Sequence, residues 1–430
     1  MQAGDTIMAL SSGSLPAGVA VIRLSGPLVR SALETIAGGV PKSRQLSLRH
    51  IGRDQRLDQG LVAFFPAPNS FTGEDCAELQ VHGSPAGVKA ILNALRDLGL
   101  RLAEAGEFTR RAFENGKLDL VEIEGLGDLL NADTEKQRKQ ALARYDGRLT
   151  AEIERWRDAL LDLRAEIEAR LDFSDEGDVT EDLPETWLAS LADLELTLAA
   201  ALASIKSGRI VREGIRVALA GAPNAGKSSL INALSRSDIA IVSDEAGTTR
   251  DVREVPLDID GQLFILLDLA GLRETDSRAE AEGVRRAQAA IASADIVLWL
   301  RAPDVEDLAH PTITPPVLVV GTKSDLGSVD GQDLSVSVTD KDGLEALITR
   351  LGEMGEALAG RELALVSHAR DQQALEAALR ALNAAREALG DWELAAESLR
   401  QASAALERHV GRLDAERVLD RLFASFCIGK

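Results

Sequence analysis

Residues 221–228 read Gly-Ala-Pro-Asn-Ala-Gly-Lys-Ser, the full G-x-x-x-x-G-K-[ST] spacing of a phosphate-binding loop. Such a loop turns successive backbone N–H groups toward phosphate oxygens at a helix N-terminus; Lys227 can then reach the β/γ phosphates and Ser228 can offer its hydroxyl to Mg²⁺. Downstream, Gly247-Thr-Thr-Arg-Asp251 can bring a threonine hydroxyl to Mg²⁺ and its N–H to the γ-phosphate. The run Phe264-Ile-Leu-Leu-Asp268 ends in Asp268-Leu269-Ala270-Gly271, which places an acid where Mg²⁺ is supported and a glycine N–H within reach of the γ-phosphate. In Thr322-Lys323-Ser-Asp325, the Asp325 carboxylate can accept from guanine N1–H and N2–H₂ together, which adenine cannot satisfy, and the Lys323 stem can lie along the base. Four elements in this order predict GTP binding. Leu272 follows Gly271 and cannot orient a water, so hydrolysis needs another way to place the nucleophile and neutralise charge.

The elements that must position these groups are legible. Ile215–Ala220 and Val317–Gly321 read as strands that deliver the phosphate and guanine loops, and Ser229–Leu234 reads as the helix behind the former. Ile153, Trp156, Leu160, Leu163, Ile167 and Leu171 form an apolar stripe at helical spacing in a proline-free stretch, and Leu375, Leu379, Leu382 and Leu389 form a second. Neither stripe could be buried alone, so the two are expected to pack together as a helical domain split by an inserted nucleotide-binding domain. Before residue 118, alternation in Val19–Arg23, Leu61–Phe65 and Glu78–His82 predicts strands, and helices are expected near 27–37 and 84–98. The expected fold is multidomain α/β and α: an α+β domain over 1–118, helical parts over 119–211 and 357–430, and a P-loop domain over 212–356. The acidic run Ser174–Asp182 reads as a solvated loop joining helices.

At 430 residues, 45% hydrophobic and 27% charged, the chain is expected to be globular and multidomain. Two cysteines, Cys76 and Cys427, argue against a disulfide or zinc framework. Without a basic amino-terminal region or a run of about 18 apolar residues, a cytoplasmic location with no membrane partner is expected. The net charge of −21 restricts any RNA contact to a local patch or a surface shared with a partner. Glu135–Arg148, which holds the only tyrosine, is locally basic and reads as a solvated helix face, with RNA or partner contact as the alternative. His82 and the other scattered histidines form no ligand cluster. Cys427-Ile-Gly-Lys430 is a poor prenylation signal, and the bland reading of Cys427 is a buried thiol beside Phe423 and Phe426.

Asp5-Thr-Ile, Gly18-Val-Ala-Val-Ile-Arg23-Leu-Ser-Gly, Asn69-Ser-Phe-Thr-Gly-Glu-Asp75, Gly106-Glu-Phe-Thr-Arg-Arg-Ala-Phe113, Gly116-Lys-Leu-Asp119, the GTPase motifs and Phe426-Cys-Ile-Gly-Lys430 together resemble the tRNA modification GTPases called MnmE or TrmE. The resemblance runs along essentially the whole chain. It implies a Ras-like GTPase domain whose nucleotide contacts fall on Asn224, Ala225, Gly226, Lys227, Ser228, Ser229, Ser243, Asp244, Glu245, Ala246, Gly247, Thr248, Thr249, Asp268, Leu269, Ala270, Gly271, Thr322, Lys323, Asp325, Ser337, Val338 and Thr339. It also implies Mg²⁺ at Ser228 and Thr249, K⁺ at Asn224, Ser243, Glu245 and Thr248 in place of an arginine finger, and Glu280 as the water-orienting acid. For the amino-terminal domain it implies a tetrahydrofolate site (5-formyl- or 5,10-methylenetetrahydrofolate) at Arg23, Glu78, Lys117 and Lys430, reached by a tail that carries Cys427. The implied assembly is a homodimer through the amino-terminal domains, working with an FAD-dependent partner, MnmG or GidA, on C5 of the tRNA wobble uridine. Thr322 stands where the family usually has asparagine, which predicts weaker affinity rather than lost guanine specificity, and Ser337-Val-Thr339 replaces a Ser-Ala-Lys/Arg sequence, leaving one backbone N–H for guanine O6 but a different side chain. A ribosome-assembly switch and a folate-dependent aminomethyl transfer with GTP as regulator are the alternative functions. The first expects an appended basic domain, and the second does not explain the large insertion.

Overall fold

The computed structural model describes residues 4–172, 183–241, 253–268, 289–306, 314–411 and 429. Contacts divide the chain into two units, Met1–Gly127 with Glu407–Lys430, and Asp128–Leu406.

In the first unit, alternation and turn residues dictate a mixed sheet. Its strands are β1 (Ile7–Leu10), β2 (Ala17–Ser25), β3 (Ser47–Ile51), β4 (Asp58–Phe65), β5 (Cys76–Gly83) and β6 (Arg101–Leu102), in the order β3-β4-β5-β2-β1-β6. One side of each strand is apolar: Ile22, Leu24, Val62, Phe64, Leu79 and Val81 are buried together with Leu33, Ile36, Ile91 and Leu95 from α1 (Val29–Ile36) and α2 (Pro85–Asp97). Strand alternation sends Val21, Arg23, Glu78 and Gln80 to the opposite face, with Arg23 registered on Glu78. Pro85 opens α2 behind Ser84, whose hydroxyl accepts from Gly87 N–H at 3.4 Å. Helices α3 (Glu107–Glu114) and α4 (Leu120–Leu130) follow. The three expected strands and both expected helices are present, and β1, β3 and β6 are additional short strands.

The second unit opens with α5 (Glu135–Tyr145), α6 (Arg148–Asp172), α7 (Glu185–Ala203) and α8 (Ile205–Glu213). It continues with β7 (Ile215–Gly221), α9 (Lys227–Leu234), β8 (Arg253–Ile259), β9 (Gln262–Asp268), β10 (Ile296–Arg301), β11 (Val317–Thr322), β12 (Leu334–Val336) and α10 (Leu344–Ala359). Helices α11 (Ala369–Glu387) and α12 (Trp392–Val410) return to the helical layer. The second sheet runs β12-β11-β10-β7-β9-β8, parallel except for the antiparallel β8–β9 pair. The α6 stripe is buried from Ile153 to Ile167. On α11, Leu375 and Leu382 are buried with Ala378 and Ala385, while Leu379 is half-buried and Leu389 lies past the helix end. Alanines complete that stripe because α7 packs close against it. Helix α11, after the nucleotide-binding insertion, packs on α7, before it, and an Arg386–Glu195 ion pair joins the two, while Trp187 Nε1 donates to Leu163 O at 2.9 Å and ties α7 to α6.

The helical stretch Glu185–Glu213 is long and apolar enough to cross a membrane, with a mean hydropathy of 1.6 over its most apolar 18 residues. The sequence reading did not anticipate it, because alanines raise the mean without making an unbroken run of large apolar residues. Trp187, Leu191, Leu194 and Leu198 face inward.

Candidate functional site

Strand β7 delivers the chain to a loop that needs glycine. Gly221 has φ +136°, and a Cβ there would lie 2.3 Å from Leu300 O on the neighbouring β10. Asn224 and Gly226 also adopt positive φ, 64° and 86°, before α9 begins at Lys227. The first N–H groups of α9 have no intrahelical acceptor, so the loop and helix end present a row of donors. Lys227 Nζ lies across this row, donating to Gly221 O at 2.9 Å and Ala222 O at 2.8 Å. Burial pushes the Lys227 ammonium below its usual range, and the charge of Asp268 opposes that shift. Asp268 closes β9 in register with Leu219 on β7, which sets its carboxylate beside the loop. Ser228 and Ser229 are exposed.

The guanine loop leaves β11 alongside. Thr322 Oγ1 donates to Ala225 O at 2.8 Å and approaches Arg301 O at 3.1 Å, tying the phosphate loop to the ends of β10 and β11. Lys323 has φ +53°, and its ammonium lies 2.6 and 2.9 Å from the Asp304 carboxylate oxygens, which Lys323 holds below the usual carboxylate range. Ser337 is buried and donates to Asp325 Oδ1 at 2.9 Å, which fixes that carboxylate. Val338 packs on the core, and Thr339 is exposed. Asn224, Ala225, Gly226, Lys227, Asp268, Thr322, Lys323, Asp325 and Ser337 thus meet at the carboxyl ends of parallel strands, where open α/β sheets hold ligands. Ser243, Asp244, Glu245, Ala246, Gly247, Thr248, Thr249, Leu269, Ala270, Gly271, Leu272 and Glu280 lie outside the described residues. Asp304 was not legible as a site residue, because only the fold brings the segment after β10 to Lys323.

In the first unit Arg23 and Glu78 form an ion pair at 2.9 Å on adjacent strands. The Arg23 guanidinium also lies 5.6 Å from the Phe71 ring centre and 5.9 Å from that of Phe108. Both rings belong to motifs quoted above, and that was the available signal for them. Gly73, at φ +80°, lets the Asn69–Asp75 loop lie against the Lys117 stem, where a Cβ would be 3.3 Å from Lys117 Cε. Cys427 and Lys430 lie outside the described residues, but Gly429 is described: its carbonyl accepts from Ser11 Oγ at 2.9 Å, and its φ of +100° brings it against Leu10 and Ser11 at the end of β1. Beneath, Glu107 and Asp5 clamp Arg101 and Arg111, and Arg111 also reaches Glu74 at 3.1 Å. Burial pushes the Glu107 carboxyl up, but donors from Arg101, the Glu104 N–H and Arg111 outweigh it and hold the group low.

The basic stretch on α5 is largely engaged within its own unit. Arg144 pairs with Asp371 at 2.8 Å, both fully buried, while Arg138 and Lys139 pair with Glu135. No group of three or more His, Cys, Asp or Glu side chains that could hold a metal ion occurs among the described residues.

Residues 6–117 match the family described as GTP-binding protein TrmE N-terminus, and residues 120–427 match the MnmE helical domain. A tRNA modification GTPase MnmE of Rhizobium johnstonii is 48% identical over 99% of this chain and 99% of its own length. Its counterpart in Azorhizobium caulinodans is 49% identical over 100% of both. A crystal structure of Aquifex aeolicus Era bound to GDP·AlF4⁻ aligns at 23% identity over 39% of this chain and 66% of that one, with a TM-score of 0.27.

Proposed function

The chain belongs to the MnmE family of tRNA modification GTPases, and on that premise we propose that it hydrolyses GTP in K⁺-dependent fashion to drive modification of the tRNA wobble uridine. The observation that carries this reading is the meeting of phosphate loop, Asp268 and guanine loop at one end of a parallel sheet. Asp325 accepts from the guanine edge while Ser337 fixes its orientation, and Lys227 turns from the loop carbonyls to the β/γ phosphates. Mg²⁺, when bound, supplies charge neutralisation on the phosphates; Ser228 and Thr249 would hold it, and Asp268 supports its shell. Asn224, Ser243, Glu245 and Thr248 are assigned to K⁺, and Glu280 to orientation of the attacking water. The loop fits these assignments through its row of helix-end donors and the exposed Ser228 and Asn224.

The amino-terminal unit would hold the one-carbon folate. Arg23, Lys117 and Lys430 suit folate carboxylates and Glu78 suits a pterin N–H, while the folate supplies the one-carbon unit when bound. The placement of Gly429 on β1 supports a tail that closes this site. The outer sheet face exposes Val19, Leu48 and Leu61, which supports pairing of two amino-terminal units. The FAD-dependent partner MnmG and C5 of U34 as the target complete the reading, with aminomethyl or carboxymethylaminomethyl groups as products in the cytoplasm.

Turnover by the purified full chain tests the catalytic part. GTP hydrolysis in K⁺ buffer should exceed that in Na⁺ buffer by about 10³-fold if the cation does the work of an arginine finger. Equal rates in the two buffers would contradict it.

A further inference from the structure

Arg144 on α5 is buried against Asp371, and Arg138 and Lys139 share the acid Glu135; a second basic stretch, in a chain of net charge −21, has no such acid at hand. Residues 42–56, Lys-Ser-Arg-Gln-Leu-Ser-Leu-Arg-His-Ile-Gly-Arg-Asp-Gln-Arg, carry five lysines and arginines against the single Asp54. They form β3 and its flanks, and β3 is an edge strand that pairs only with β4. Lys42, Arg44, Arg53 and Arg56 are exposed. Their charges are not neutralised by acids. Arg44 donates to Asn69 O and Arg56 to Gln59 Oε1 at 2.6 Å, both neutral acceptors. Arg53 lies 3.9 Å from Asp54 with both side chains at least 70% exposed, a pair worth little in water. Half-buried Arg49 has an Nε without a hydrogen-bond partner. The next acid along the chain, Asp58, is bound to His82 at 2.7 Å.

We propose that the β3 edge, through Lys42, Arg49, Arg53 and Arg56, is a docking surface for the phosphate backbone of tRNA. The proposal rests on the tRNA reading above and supplies it with a direct contact on this chain. Between Lys42 and Arg56 only β3 is extended; Lys42 and Arg44 sit at a turn before it, and Arg53 and Arg56 lie in the loop that returns to β4, where Leu57 N–H donates to Ile51 O at 2.7 Å, so these cations gather at the two ends of one short edge strand, a charged ridge rather than a pocket. Guanidinium groups left without carboxylates are suited to phosphate oxygens. No aromatic residue lies between 42 and 56, so the surface grips backbone without reading bases. Charged side chains also blunt an edge strand against aggregation, and a surface with only that role would not change RNA affinity.

The test is fluorescence anisotropy of an unmodified wobble-uridine tRNA transcript with the full-length protein, wild type and Lys42→Glu/Arg53→Glu/Arg56→Glu, across a salt series. The triple variant should bind at least about tenfold more weakly at 100 mM salt, with a log–log salt slope shallower by about 2. GTP turnover should be unchanged, and the glutamine triple should fall between the two if charge reversal disturbs folding. Unchanged affinity and slope would overturn the surface and leave the tRNA-modification reading standing. Retained tRNA binding with loss of modification in cells would also overturn it, assigning the edge to a protein partner instead. A wild-type chain that cannot restore wobble modification would count against the wider reading and not against the edge.

Discussion

Thr322 occupies the position where an amide was expected, yet its hydroxyl reaches Ala225 O at 2.8 Å and so binds the guanine loop to the phosphate loop. The expectation of weaker affinity considered only what Thr322 could offer the base. The contact it makes is a buried tie between the segments that follow β7 and β11. Thr322→Val removes that donor without changing shape, and it leaves Ala225 O short of a partner. A lost buried hydrogen bond of about 1–3 kcal/mol corresponds to GDP and GTP binding weaker by roughly 5- to 150-fold. Titration with a fluorescent guanine nucleotide checks this, and affinity equal to wild type would show the tie to be idle. Guanine preference should persist in the variant, because Asp325 and its Ser337 partner are untouched. The phosphate loop was readable because its chemistry is local, eight residues in a row. Asp304 was not, because it and Lys323 are 19 residues apart and meet only after β10 and β11 pair.

Strands and helices were legible where one side is uniformly apolar, as in β2, β4, β5 and α6. The short strands β1, β3 and β6 were missed because two to five residues carry too little periodicity. The α11 stripe was misread in part for a different reason: large apolar residues were counted, whereas close helix packing selected Ala378 and Ala385. Nor could any pattern have shown how the helical halves are joined. Arg144 donates to Asp371 and to Leu365 O, and Asp371 accepts from the N–H groups of Ser367 and His368, at the point where the chain re-enters the helical layer after α10. Removing one partner strands a buried charge, so Arg144→Met should destabilise the chain by about 3–5 kcal/mol. Replacing both, Arg144→Met with Asp371→Leu, should cost less than the single change. Chemical denaturation checks the order, and a double variant less stable than Arg144→Met would refute the pairing argument.

At the scale of the whole molecule, acid should act on the first unit through its partly buried carboxylates. Asp5 is pushed up by burial and pulled further down by Arg101 and Arg111, and Glu107 behaves likewise, so both fold with depressed pKa values. A depressed carboxylate contributes stability that is present above its unfolded value of about 4 and is lost as pH falls through the folded value. The first unit should therefore melt earlier as pH drops from 5 toward 3. Glu107→Gln should lower its melting temperature at pH 7 and show a smaller further fall on acidification; parallel curves for the two proteins would contradict this. The apolar stripes on either side of the insertion were visible in the sequence. The ion network was not, because its members come from Asp5, Glu74, Arg101, Glu107 and Arg111, gathered only by the sheet and α3.

The central claim is that GTP chemistry in the second unit drives tRNA modification, and nucleoside analysis of the wobble position tests it directly. In a strain lacking its own family member, the wild-type chain should restore C5-modified wobble uridine, and Lys227→Ala, which loses the phosphate-binding ammonium, should restore none. Full modification with Lys227→Ala, or none with the wild-type chain, would contradict the account.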